Sequence, residues 1–206
     1  MSSEGGSRRL ADRSGVTLME LVVVALLLGV VASLAIPRAL KTTPRQELTR
    51  ATRQLARDLE LVRTQAVAAK RTVRVRFWAS EGFYTAFMDV TAARDGTINE
   101  VADEVRPSRL IASDKHVGLP GVELPHGIVF GSGDATTGPL GGAAGDPIPF
   151  TDDRVEFNTR GMVLPLGTQG VLFLAHEDDP TVVAAVTISG AGSFEVWHYR
   201  GGNWDR

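Results

Sequence analysis

The sequence predicts an α+β protein in which a long N-terminal helix packs on an antiparallel β-sandwich head. Three observations support this prediction. An apolar stripe with helical spacing runs from Leu48 to Ala69. Beyond Lys70 the apolar residues recur with a period of two, as they do in a half-buried strand. Many short β-like runs with Gly-rich turns follow, which is typical of antiparallel sheets.

The composition indicates one compact domain with appendages. The chain has 206 residues, of which 43% are hydrophobic, and it contains no cysteine. Disulfides, Cys-ligated zinc, iron–sulfur clusters and a thiol nucleophile are therefore excluded. Residues 38–76 hold eleven basic and three acidic groups, whereas residues 77–206 hold eight basic and eighteen acidic groups. The sequence therefore predicts a basic stalk and an acidic head.

The N-terminal region is a polar stretch followed by an apolar run. Residues 16–36 are apolar except for Thr17, Glu20 and Ser33. As a helix with a rise of about 1.5 Å per residue, this run would span a bilayer core of about 30 Å. The preceding stretch carries Arg8, Arg9 and Arg13. This positive flank predicts a cytoplasmic N-terminus and a head on the other side of the membrane.

Two simple interpretations of the apolar run leave Glu20 unexplained. A secretory signal could be cut after Ser33-Leu34-Ala35, which would leave Ile36 as the new N-terminus. A plain single-pass anchor is also possible. An isolated carboxylate inside a membrane costs about 2.5–3.5 kcal/mol on insertion scales, so it normally marks a function with a specific partner.

A third interpretation supplies that partner. The stretch GVTLMEL, residues 15–21, resembles the prepilin motif of type IV pilins and type II secretion pseudopilins. The resemblance implies cleavage after Gly15 by a prepilin peptidase and N-methylation of Val16. Glu20 would then be the fifth residue of the mature chain, where its carboxylate meets the N-terminal amine of a neighbouring subunit. Gly29 and Pro37 match the positions at which this family weakens or kinks its helix.

These features divide the chain into four expected segments. Residues 1–15 would be the leader, 16–36 the transmembrane and filament-core helix, 37–71 an amphipathic stalk helix, and 72–206 the periplasmic head. The stalk helix is expected to begin at Thr43-Pro44, with Gln46 closing a capping box. Its apolar stripe comprises Leu48, Ala51, Leu55, Leu59, Val62, Ala66 and Ala69.

The head is predicted to consist of short strands. Residues 73–78 and 83–90 should form a hairpin around Ser80-Glu81-Gly82. Further strands are expected at 108–112, 127–130, 154–157, 161–164, 170–175, 181–189 and 193–199. Residues 131–150 contain six Gly and three Pro, which predicts a flexible loop that is either a surface insertion or a partner-binding element.

The head resembles the GspH/FimT branch of the pilin family. The similarity lies in LELVRTQAVAAKRTVRVRF, in VEFNTRGMV (residues 155–163) and in the closing AAVTISGAGSFEVW. It implies a minor pilin or pseudopilin of a type II secretion pseudopilus or a type IV pilus. Such a subunit sits in the inner membrane before assembly, surrounded by lipid, and its partners are other pilins and an inner-membrane assembly platform. No cofactor is expected.

No catalytic or strong metal motif is found. The four histidines (His116, His126, His176 and His198) lie in separate segments, so the chain is not expected to be an enzyme. Asp89, Asp95 and Asn99 are weak calcium candidates. The alternate positions before Asp95 are Thr91 and Ala93, which an EF-hand would not use. An ordinary polar hairpin loop is the alternative, and no metal site is assigned.

DNA uptake is an alternative function. Clustered stalk arginines could supply phosphate affinity, and Trp197, Tyr199 and Arg200 are candidate contacts through base stacking and charge. However, the acidic head would repel DNA, and the Gly-Arg-x-Arg element of DNA-binding relatives is absent. A secreted periplasmic β-domain with a cleaved signal is the second alternative.

Overall fold

The computed structural model describes residues 18–39, 43–106, 112–116 and 118–206; for residues 32–39 and 112–116 it describes the backbone alone. The chain divides into two units, and the boundary follows Thr42. The first unit contains helix α1 (Leu18–Ala39), and the second contains helix α2 (Pro44–Ala69) and all the strands.

Helix α1 presents its apolar side chains outward. Every side chain described in it, from Leu18 to Val31, is exposed. The exposed fractions of its large apolar residues range from 43% at Val23 to 84% at Leu18. Water hydrates such a surface unfavourably.

Helix α2 is amphipathic, as its sequence pattern predicts. Six residues of the predicted stripe are buried, and Ala69 at the C-terminal end is half-buried. The helix begins with Thr43 at the N-cap and Pro44 in the first turn. The expected capping box is wrong, because the Thr43 side chain makes no cap hydrogen bond. Its carbonyl oxygen instead accepts the amides of Gln46 (2.8 Å) and Glu47 (3.1 Å).

The described part of the second unit contains eleven strands. The predicted hairpin of residues 73–78 and 83–90 is confirmed, with its second strand ending at Met88. The strand expected at 108–112 lies outside the described residues except for Ala112. The strands at Leu119–Glu123 and Asn203–Asp205 have no counterpart among the expected ones. In chain order they are β1 (Val73–Trp78), β2 (Phe83–Met88), β3 (Ala112–His116), β4 (Leu119–Glu123), β5 (Ile128–Phe130), β6 (Arg154–Phe157), β7 (Val163–Leu164), β8 (Gly170–His176), β9 (Asp179–Ile188), β10 (Phe194–Arg200) and β11 (Asn203–Asp205).

The strands form two antiparallel sheets that share a core with α2. One sheet has the order β3-β4-β2-β1-β6-β7 and the other β11-β10-β9-β8-β5. Leu55 of α2, Phe77 of β1 and Leu172 of β8 are each at most 1% exposed and belong to the same apolar cluster. The predicted α+β class, with a helix packed on an antiparallel sandwich, is therefore confirmed.

The segment 131–150 contains no strand or helix, as its Gly and Pro content predicts. It is nevertheless packed on the second sheet. Ile148 is fully buried in the main core, and Ala135 and Ala144 cover Phe173 in a second apolar cluster on the outer face. The sequence of the segment does not indicate this packing, because the strands on which it packs lie elsewhere in the chain.

Candidate functional site

The residues implied by the prepilin motif lie partly outside the described residues. Gly15 and Val16 precede them. Glu20 lies exposed in the first turn of α1. A Cβ added at Gly29 would meet no atom within 4 Å, so packing within the described chain does not require glycine there. The helical backbone runs on through Pro37 to Ala39.

A helix that crosses a membrane must be both long and strongly apolar. Over the residues that the structure describes, no helix combines the length and the apolarity needed to cross a membrane.

The outer face of α2 carries a row of arginines. Arg45, Arg50, Arg53 and Arg57 are all exposed. None of them forms an ion pair with a described carboxylate; Arg57 donates to the amide oxygen of Gln54 at 2.9 Å. The predicted basic stalk thus presents guanidinium groups that are available to an external anion.

Two of these arginines border a groove between α2 and β4, which we call the α2–β4 groove. Arg50 and Arg57 flank it on the helix side, and the exposed Glu123 lies on the opposite side. Its volume is about 350 Å³. The other lining residues are Ala51, Gln54, Tyr84, Val122, Leu124 and Pro125. The groove is therefore mostly apolar with charged rims.

A buried polar pair lies at the wall of this groove. The Tyr84 hydroxyl donates to Asp58 Oδ2 at 2.6 Å, and Gln54 Nε2 donates to Asp58 Oδ1 at 2.8 Å. Burial raises the pKa of the Asp58 carboxyl, and the hydrogen bonds from Tyr84 and Gln54 and the charge of Arg57 offset this only in part. Burial and the adjacent Asp58 raise the pKa of Tyr84 well above its usual value.

Sequence reasoning missed Asp58 and Tyr84. A signal for Asp58 was available, because it lies three residues after Leu55 and one before Leu59, and therefore on the inward side of α2. No local signal identifies Tyr84 as its partner, since the two residues are 26 positions apart. The pairing depends on how α2 packs on β2.

The predicted DNA contacts do not form one surface. Trp197 and Tyr199 lie on the outer face of β10, where they pack against the second apolar cluster. Trp197 Nε1 donates to Thr187 Oγ1 at 3.2 Å, and the Tyr199 and Trp204 rings lie 5.2 Å apart. Because side chains alternate along a strand, Arg200 points to the opposite face from Tyr199. Joint stacking and charge contact by these three residues is therefore not supported.

Arg200 instead belongs to a cationic group beside α2. Burial lowers the pKa of His198, and the charges of Arg200, Arg53 and Arg45 lower it further. These charges come from both elements, because β10 packs beside α2.

The calcium candidates are engaged in loop hydrogen bonds. The buried Asp89 carboxylate accepts the Thr91 amide (2.8 Å), the Thr91 hydroxyl (2.6 Å) and the Gly96 amide (2.9 Å). Burial by itself would raise the pKa of Asp89, but these hydrogen bonds and the Arg71 charge lower it below its usual value. Asp95 accepts the Thr97 amide, and Asn99 donates to Glu104. The three side chains therefore make hydrogen bonds within their own loop and do not form one set of metal ligands.

The histidines do not assemble a reactive centre in the part of the chain that is described. His176 is buried, and its Nδ1 accepts the Asp178 amide at 3.2 Å. Among the described residues, no three His, Cys, Asp or Glu side chains are placed to hold a metal ion.

The family comparison matches most of the second unit. The model of the family described as type II transport protein GspH matches residues 51–192. This range runs from the first half of α2 through the β9–β10 turn. No curated protein matches the chain in sequence.

Two solved structures that this chain resembles come from two different bacteria. One is the minor pseudopilin EpsH from the type 2 secretion system of Vibrio cholerae, with 16% identity, a TM-score of 0.45, and coverage of 73% of this chain and 95% of that one. Another is the type IV minor pilin FimU of Pseudomonas aeruginosa, with 16% identity, a TM-score of 0.44, and coverage of 79% and 95%.

Proposed function

The chain belongs to the GspH family of type II transport proteins, and from this membership we propose that it is a minor subunit of a type II secretion pseudopilus or a type IV pilus. The observation that carries the proposal is the match over residues 51–192. In this role the chain works by assembly, and no catalytic step is proposed for it.

We propose that α1 is the assembly element. Its exposed apolar surface needs an apolar environment, which membrane lipid supplies before assembly and neighbouring pilin helices supply in the filament. A prepilin peptidase cuts after Gly15, and Val16 becomes the methylated N-terminus. The Glu20 carboxylate then meets the terminal amine of a neighbour, which lowers the cost of placing both charges among apolar helices.

The proposed path starts in the inner membrane, with a cytoplasmic N-terminus and a periplasmic head. An assembly platform then transfers the subunit into the filament. The four segments expected from the sequence, 1–15, 16–36, 37–71 and 72–206, correspond to leader, filament core, stalk and head on this path.

Intact-mass analysis of the chain from cells that contain prepilin peptidase tests the processing step. We expect a chain that begins at methylated Val16. A chain that begins at Ile36 would instead indicate a cleaved secretory signal, and an uncut Met1 form would contradict processing.

Incorporation of a Glu20→Leu variant tests the assembly step. We expect this variant to remain in the membrane fraction but to be missing from sheared filaments, because the amine of the neighbour loses its counter-charge. Glu60→Leu, an exposed change on α2, is the matched control and should be incorporated. Normal incorporation of Glu20→Leu would contradict the pairing role.

A further inference from the structure

The two arginines that border the α2–β4 groove form no ion pair with a described carboxylate. Arg50 makes no ion pair or side-chain hydrogen bond with any described residue, and Arg57 reaches only the neutral Gln54. Both guanidinium groups border an apolar floor that includes Ala51 and the nearly buried Leu124. A ligand that places carboxylates on the arginines and an apolar group on the floor would satisfy both features.

We propose that this groove docks an extended acidic–apolar segment of a neighbouring pilin chain. In the docked state two carboxylates of the segment pair with Arg50 and Arg57, and an apolar side chain between them packs on Ala51, Tyr84 and Leu124. This inference deepens the proposed function, because it states the chemistry by which a filament neighbour is recognised.

The dimensions of the groove suit such a segment. Arg50 and Arg57 are seven residues apart on one helix, which separates their Cα atoms by about 10.5 Å. In a polyproline II segment, which is extended and has three residues per turn with a rise of about 3.1 Å, residues three apart lie on the same side and span about 9 Å. A volume of about 350 Å³ lies at the lower end of the usual range for binding pockets, so the floor holds one or two side chains.

Glu123 on the opposite rim further defines the kind of segment that the groove should bind. Glu123 contributes a single negative charge there and has no ion pair with a described cation. The segment should therefore direct its carboxylates to the α2 rim and its backbone amides towards β4. Removal of the Glu123 charge should strengthen the binding of an acidic segment, because the local repulsion disappears.

Fluorescence anisotropy on the full chain in non-ionic micelles tests the inference. The probe is a labelled acetyl-Glu-Leu-Leu-Glu amide, and the control is acetyl-Lys-Leu-Leu-Lys amide. Empty micelles give the background. We expect saturable binding of the acidic peptide alone, with affinity that falls as salt rises.

Charge variants locate the binding. Arg50→Glu and Arg57→Glu should each weaken the acidic peptide about tenfold, since an attraction is replaced by a repulsion. Arg53→Glu is the matched control, because Arg53 is also exposed on α2 but does not line the groove. The affinity of this variant should stay within about twofold. Glu123→Gln should bind more tightly.

Three outcomes would overturn the inference. These are an absence of saturable binding, equal binding of the lysine peptide, and an equal loss of affinity in Arg53→Glu. A short DNA duplex that displaces the peptide and loses affinity in Arg50→Glu and Arg57→Glu, as the peptide does, would show that the groove recognises phosphate instead. None of these results affects the test of Val16 processing, so the two proposals fail independently.

Discussion

The hydroxyl of Tyr84 donates a 2.6 Å hydrogen bond to the carboxylate of Asp58, and this bond ties β2 to α2 inside the core. Asp58 is 7% exposed and Tyr84 is 1% exposed. A buried carboxylate is tolerated only when its oxygens accept hydrogen bonds, and Tyr84 and Gln54 provide them. The pair therefore helps to determine how the helix is seated on the first sheet.

Tyr84→Phe should lower the free energy of unfolding by about 1–3 kcal/mol, because it leaves a buried carboxylate oxygen without its donor. Urea denaturation measures the change. Tyr199→Phe is the control, since the Tyr199 hydroxyl makes no hydrogen bond with described residues, and it should change stability by less than about 0.5 kcal/mol. Equal effects at the two positions would contradict a specific role for the Tyr84 bond.

Asp58 should make stability depend on pH in a defined direction. Its folded pKa is raised, chiefly by burial. The stability contributed by this group is therefore fully present below its unfolded pKa and is lost as pH rises through the folded pKa. Relative to Asp58→Asn, the natural chain should be more stable at a pH of about 3.5 than at a pH of about 7. Urea unfolding of both proteins at both pH values checks this, and the opposite trend would refute it.

Asp89 should stabilise its loop without a metal. Asp89→Ala should cost about 2–3 kcal/mol, because the Thr91 and Gly96 donors lose a buried acceptor. Asp95→Ala, at an exposed residue, should cost less than about 1 kcal/mol. Thermal unfolding with calcium or with a chelator should give the same Tm. A Tm that rises with calcium would revive the cation hypothesis.

Gly192 is required by a close approach between two turns. A Cβ on Gly192 would overlap the carbonyl oxygen of Gly161, which also accepts Arg63 Nε at 3.1 Å. Gly141 is the control, because its φ of +82° is similar to the +78° of Gly192, yet it has no neighbour within 4 Å of a Cβ. Gly192→Ala should destabilise the protein by about 2 kcal/mol more than Gly141→Ala. Equal losses in thermal unfolding would show that φ alone matters.

Trp204 should hold segment 131–150 against the second sheet. Its Nε1 donates to the Thr137 carbonyl oxygen at 2.7 Å. The Ala144 amide donates to the carbonyl oxygen of the adjacent Thr136 at 3.1 Å. Trp204→Phe keeps an aromatic ring but removes the bond to Thr137, so the Ala144 amide should exchange about fivefold faster with solvent. Trp197→Phe should not change this rate, because Trp197 bonds Thr187 instead. Hydrogen exchange followed by mass spectrometry distinguishes these outcomes.

Local patterns predicted the parts of the fold that depend on periodicity. The stripe of α2 and the alternation of β1 follow from repeats of about 3.6 and 2 residues, which set the buried face of each element. The same alternation could have separated Arg200 from Tyr199, since adjacent residues of a strand face opposite sides. Long-range pairs such as Tyr84 with Asp58 have no signal of this kind.

The sequence by itself determined the α+β class, the amphipathic stalk helix and the prepilin-like motif at Gly15, because each depends on neighbouring residues or on spacing along one element. The tertiary structure decided which charges are neutralised. It buried Asp58 beside Tyr84, assigned Asp89 to a loop, and left Arg50 and Arg57 beside an apolar groove without an ion pair to a described carboxylate. These outcomes depend on which segments meet when the core closes, and that contact is not encoded in any single local pattern.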